Sequence, residues 1–286
     1  MHLNFSWTTL QVLWTVKFAA MLVLLVVLLG KDRYKQFKFF TIGIVLVTFR
    51  LLATRLLYGK MAPIGMYEIF IPLADLLVVV NLLVLVEMAR RAFVGLKQRA
   101  WILGTLVLLA VGAGVLAAWG PWPAWKTLSA GSTLAVLGLL QLASQKGDLL
   151  VNVLTVQLGL LVLLFGRRFK AGWRSHVQGI LIGLSTVAAA QMLRDGIWEL
   201  IARKAAVHSQ EEYYRLVGLQ EKLLNATDVV YAVVLVWWIA CLWMDEPGKA
   251  TAAPADVAMP EIPAAEEVPV PETKTDPEVP ETQNDL

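Results

Sequence analysis

Long apolar runs, separated by short charged or Gly/Pro-containing breaks, dominate the first 244 positions. A helix needs about 20 consecutive, mostly apolar residues to cross a bilayer, because lipid offers backbone amides and carbonyls no partner outside the helix. Six runs of this kind stand clear: Trp7–Leu29, Phe37–Tyr58, Tyr67–Met88, Trp101–Trp119, His176–Ala202 and Asp228–Met244. Trp7, Trp101, Trp119 and Trp198 fall near span ends, where amphipathic rings favour the interface. The stretch Lys126–Gly166 is harder, with one weak polar interruption at Ser144–Asp148. Either Leu149–Gly166 is one span preceded by a helix lying along the membrane, or the stretch holds two spans. The pattern therefore predicts an all-α fold, a polytopic transmembrane helix bundle of seven spans, or eight on the second reading.

After Met244 the pattern changes. Residues 245–286 hold 8 of the 12 prolines and almost no large apolar side chain. Such a segment cannot bury enough surface to offset its ordering entropy, which predicts a disordered tail of polyproline character. The expected organisation is a bundle over 1–246 and an acidic Pro-rich tail over 247–286.

Composition strengthens the membrane reading. The chain is 58% hydrophobic and 16% charged, with a mean hydropathy of +0.64, too few charges to cover a water-facing globule. The net charge of +3 conceals two opposite parts. The tail holds 11 of the 22 acids against Lys249 and Lys274, so the body is strongly basic and the tail strongly acidic. An acidic tail has nothing to offer nucleic acid, and no nucleic-acid partner is expected. It could recruit a cytoplasmic or membrane protein partner instead. The single Cys241 allows no intramolecular disulfide.

Basic loops set orientation. Lys31, Arg33, Lys35 and Lys38 follow the first span, Arg90, Arg91, Lys97 and Arg99 the third, and Arg167, Arg168, Lys170 and Arg174 precede His176. Seven spans put all three clusters and the tail in the cytoplasm, with the N-terminus outside. Eight spans export the third cluster and the tail. Met1–Ser6 lacks a basic leader and Lys17 interrupts the first apolar run, so a retained first span is expected rather than a cleaved signal.

Charges inside lipid are costly and usually face the bundle interior in pairs. Arg50 and Asp75 each lie eight residues below the outer ends of their spans, and Arg55 and Glu68 lie near the mouth. At 1.5 Å per residue, Arg50 and Asp75 share a depth of roughly 12 Å, and Lys17 reaches a similar level. Lys17, Arg50, Arg55, Glu68 and Asp75 are thus the candidate cavity, either structural ion pairs or a site for a small anion, with one excess positive charge. Glu87 is expected to salt-bridge Arg90 and Arg91 at the inner interface, and His176 to lie at that interface. Arg194, Asp195 and Glu199 stand at the outer end of their span, either as solvated helix-end charges or lining the same mouth. Gly179 and Gly183 form a GxxxG pair, for packing within the chain or for a homodimer. Ser209 and Glu212 fit a capping box, opening either a separate amphipathic helix or a continuation of the preceding span. No H-E-x-x-H, G-x-S-x-G, phosphate loop or dinucleotide fingerprint occurs, and His2, His176 and His208 are far apart. No catalytic residue, metal or cofactor is expected.

The basic loop running into a Gly-rich span, Gly166–Gly183, and the aromatic run Val236–Trp243 resemble bacterial seven-helix integral membrane proteins. More loosely they resemble the seven-helix sensor regions of bacterial receptor kinases. The resemblance implies a bacterial inner-membrane location and a sensor-like or accessory role. Where those receptors carry an output domain, this chain carries the acidic tail, so signalling would run through a separate partner. The alternative is a small transporter or channel using the same charges.

Overall fold

A computed structural model of the chain describes residues 9–57, 60–93, 98–119, 133–165, 175–204 and 209–245. The tail falls in a second unit, Lys249–Leu286, which lies outside the described residues together with the expected disorder. The described residues are helical throughout: α1 (Thr9–Gly30), α2 (Arg33–Gln36), α3 (Lys38–Leu57), α4 (Pro63–Ala92), α5 (Gln98–Ala118), α6 (Thr133–Phe165), α7 (His176–Lys204) and α8 (Gln210–Trp243). Six of these, α1, α3, α4, α6, α7 and α8, are long and apolar enough to cross a membrane. The apolar part of α5, Ile102–Ala118, is shorter. The coarse expectation of a multi-pass helical membrane protein holds.

Local chemistry explains the helix starts. Pro63 sits at the first turn of α4, where its missing N–H would have had no partner anyway. Ser175 Oγ accepts from Gln178 N at 3.2 Å and opens α7. Ser209 and Glu212 close a reciprocal capping box, each accepting the other's backbone N–H. That box opens a helix of 34 residues that includes the last span. It is neither a separate surface helix nor an extension of α7. Asp32 turns the chain between α1 and α2 in the left-handed region, at φ 55°.

The Ser144–Asp148 interruption is no break: α6 runs unbroken through it. Gly147 allows this by letting α6 close on α4, since a Cβ there would stand 2.6 Å from Val78 Cγ1.

The six long helices form a closed ring in the order α1, α3, α4, α6, α7, α8, with α8 returning to α1. α5 packs outside it against α6. One end of the ring is solid. Leu24, Leu28, Phe37, Met88, Leu235 and Leu242 are fully or almost fully buried there. Phe40 and Trp238 meet edge to face, with ring centroids 5.2 Å apart, an arrangement that contributes beyond area burial.

Four contacts lock this end. Glu87, at the C-terminal end of α4, accepts from Lys38 N, Phe39 N and Phe40 N of α3 at 2.9, 3.1 and 3.2 Å. Arg91 comes no nearer than 4.0 Å to Glu87 and donates to the Gln36 carbonyl. Glu87 is therefore a helix cap supplied in trans rather than chiefly a salt bridge. His176, the first residue of α7, is buried by the chain itself, with Nε2 2.9 Å from the Met244 carbonyl. Arg33 binds Asp245 at 2.9 Å. The GxxxG pair is occupied within the chain: a Cβ on Gly183 would stand 2.2 Å from Trp238 Nε1, and one on Gly179 would stand 3.2 Å from Cys241 Sγ. Trp237 and Trp238 donate to the Gly179 and Ile180 carbonyls at 3.0 and 3.3 Å. Neither glycine is left open for the homodimer face.

Candidate functional site

The other end of the ring is hollow. A cavity of about 1760 Å³ opens there, lined by every ring helix, by Val115 of α5 and by Trp119 just beyond that helix. Met21, Phe40, Ile44 and Trp238 line it at the level of the packed core, closing it below. The result is a cup: a polar upper wall standing on an apolar, aromatic floor.

Among the described residues, five bases and four acids line the wall. The bases are Lys17, Arg50, Arg55, Lys146 and Arg194, and the acids are Asp148, Asp195, Glu199 and Asp228. Their formal sum is one positive charge, carried by a different set from the five expected residues. Lys17 is largely buried and binds Asp228 of α8 at 2.7 Å, tying α1 to α8. Arg194 and Asp195 pair at 2.7 Å, and Glu199 holds Arg203. Arg55 lies over the Trp14 ring, 5.9 Å from its centroid. Lys146 donates to the Trp119 carbonyl. Asn81, Asn152 and Gln191 add neutral hydrogen-bonding groups to the wall.

Of the five residues expected at this site, Lys17, Arg50 and Arg55 line the cavity and Glu68 and Asp75 do not. Among the described residues Arg50 forms no ion pair with Asp75, nor Arg55 with Glu68. The reason is azimuth. Leu77, Asn81, Val84 and Leu85 form the stripe of α4 that faces the cavity. At about 100° per residue, Asp75 lies roughly 200° round from Leu77, and Glu68 about 180°. Neither stands on the stripe itself. Asp75 keeps one carboxylate oxygen sealed from solvent without a hydrogen bond.

All four lining acids lie outside the expected set: Asp228 at a span boundary, Asp148 in the polar interruption, and Asp195 and Glu199 at the outer end of their span. Helical spacing was the available signal: Gln145, Asp148, Asn152 and Thr155 repeat at intervals of three and four, as do Thr227, Asp228 and Tyr231. Buried Thr155, Thr41 and Thr48 donate to the carbonyls four residues earlier, which satisfies their hydroxyls. Among the described residues, no three His, Cys, Asp or Glu side chains converge as metal ligands. Comparison with family models, with curated proteins and with solved structures gave no match to this chain.

Proposed function

We propose that this chain is a non-enzymatic, seven-span bacterial inner-membrane protein that acts as a sensor or accessory subunit. Its cup faces outward, and its acidic tail recruits a partner in the cytoplasm. One observation carries the reading: a charged cavity open at one end and closed at the other by packed aromatic and aliphatic side chains. A cup of this shape suits a molecule that binds and reports better than one that conducts. Three of the four lining carboxylates are already held in ion pairs, which favours a binding role over acid–base chemistry.

In this proposal α5 is the seventh span. Its 21 residues extend about 32 Å, enough for a hydrocarbon layer of about 30 Å. Trp119, just beyond its end, reaches the cavity wall and lies 3.7 Å from where a Gly196 Cβ would stand. Seven spans put the two termini on opposite sides. Bases gather at the closed end, at Lys31, Arg33, Lys35, Arg90 and Arg91, and the positive-inside preference then assigns that end to the cytoplasm.

The alternative, a small transporter, draws support from Pro72 inside α4. Proline removes a helical hydrogen bond and creates a bending point, and α4 lines the cavity. Two measurements test the proposal. Reporter fusions at residue 286 and near Lys170 should both be active only in the cytoplasm. Proteoliposomes of the intact protein should pass no ions, whereas the Trp238→Ala variant should leak through the opened floor. Flux through the intact protein would favour the transporter.

A further inference from the structure

We infer, resting on the reading of the cup as a binding site, that its ligand is a small zwitterion carrying an ammonium group and a carboxylate or phosphate on one short frame. The pairs made among the described residues leave Asp148 and Arg50 without a partner, beside Arg55 stacked on Trp14 and Lys146 bound to the Trp119 carbonyl, so positive charge is in excess. Lys17 is taken up by Asp228, Arg194 by Asp195 and Glu199 by Arg203. Arg50 of α3 and Asp148 of α6 form no ion pair or side-chain hydrogen bond among the described residues, although both line the cavity and both side chains are exposed in it. α3 and α6 are not neighbours in the ring, because α4 stands between them. The cup therefore holds a cation on one wall and an anion on another, with open space between.

That arrangement sorts ligands by charge pattern. A simple anion gains at Arg50 but leaves Asp148 facing the same space without a cation, and a simple cation drawn to Asp148 meets Arg50, Arg55 and Lys146. The two contributions have opposite sign and similar reach. Only a molecule bearing both charges gains at both walls. Its orientation is fixed as well. Arg55 adds a second cation on α3, held against Trp14, so the anionic end belongs at α3 and the ammonium at Asp148. Asn81 and Asn152 offer neutral donors and acceptors along the wall. This chemistry has two sources: a free amino acid or short peptide entering from outside, and the ethanolamine headgroup of a lipid.

The test uses the full chain in phosphatidylglycerol nanodiscs, read by the fluorescence of Trp14, Trp119 and Trp198, which line the cavity. Alanine, alanyl-alanine, its N-acetyl form and its C-terminal amide are titrated in turn. The free zwitterions should bind at least tenfold more tightly than either blocked form. Asp148→Asn should erase the preference over the acetylated peptide, and Arg50→Gln the preference over the amide. Arg50→Lys should keep both preferences, which separates loss of charge from loss of fold. If nanodiscs containing phosphatidylethanolamine weaken peptide binding at least tenfold, the same chemistry is being supplied by the headgroup. If the acetylated peptide binds as tightly as the free one, the cup is a simple anion site and the zwitterion inference falls while the binding reading stands. If neither soluble probe nor phosphatidylethanolamine changes the signal, the binding reading falls with it.

Discussion

Glu87 offers the sharpest test of how the closed end is held. The first intrahelical hydrogen bond at the start of α3 is donated by Thr41 N to the Phe37 carbonyl at 3.0 Å. Lys38, Phe39 and Phe40 therefore have no helical acceptor, and all three donate to the Glu87 carboxylate. Two of these contacts are accessible to water and the third is half-buried. Losing an acceptor for the half-buried amide costs about 2 kcal/mol when the acceptor is charged. The two accessible amides can rehydrate, so each contributes roughly 0.5 kcal/mol. With the favourable end of the α3 dipole included, Glu87→Ala should destabilise the protein by about 3–4 kcal/mol. Glu87→Gln keeps an acceptor but loses the charge, and should cost about half as much. Arg90→Ala is the control: Arg90 is exposed and should shift stability by no more than about 0.5 kcal/mol. Equilibrium unfolding in mixed micelles, followed by tryptophan fluorescence, measures all three. A loss for Glu87→Ala no larger than that for Arg90→Ala would refute the capping argument.

The Lys17–Asp228 pair should show coupling. Lys17→Ala and Asp228→Ala should each cost about 2–3 kcal/mol, because each strands a partly buried charge, and a double-mutant cycle should recover at least about 1 kcal/mol; additive losses would count against the pair. Gly183→Ala should lose about 1–3 kcal/mol by forcing Trp238 and Val234 aside. By contrast Gly104→Ala, whose Cβ would meet nothing within 4 Å, should be neutral or slightly stabilising in the same unfolding assay. At the exposed α2 turn, the hydrogen bond from Lys35 to Asp32 raises the Lys35 ammonium above its ordinary 10.5. Its small contribution is present below that value and is lost as pH rises through the higher folded one. Asp32→Asn should lower the Lys35 titration midpoint measured by NMR of labelled lysine.

Particular residues mark where the sequence could be read and where it could not. Apolar run length identified the long helices, since lipid permits little else. Depth counted in residues placed Lys17, Arg50 and Arg55 within reach of the cavity. Depth does not fix the side of a helix on which a residue stands, and Asp75 and Glu68 failed on that count. The stripe through Leu77, Asn81 and Leu85 becomes meaningful only once α4 has neighbours. The polar run at Ser144–Asp148 looked like punctuation because five polar or small residues interrupt an apolar stretch. In the fold it is the opposite: Gly147 presses on Val78, and Gln145, Lys146 and Asp148 turn inward. Glu87 was placed beside the right arginines, but its partners are backbone amides 47 to 49 residues away, which no local pattern encodes. The capping box was legible because both halves lie within four residues. The length of the helix it opens was not.

That last helix has a mechanical consequence. α8 is bedded where Trp238 and Cys241 lie against Gly183 and Gly179. Counting 1.5 Å per residue, about 42 Å of rod extend from Trp238 back to Gln210, and about 7.5 Å forward to Trp243. Unequal arms about a fulcrum trade travel for force at roughly five to one. The long arm is itself held where Asp228 binds Lys17, so a displacement at Gln210 would load that pair before it reached Met244 and Asp245, where His176 and Arg33 grip them.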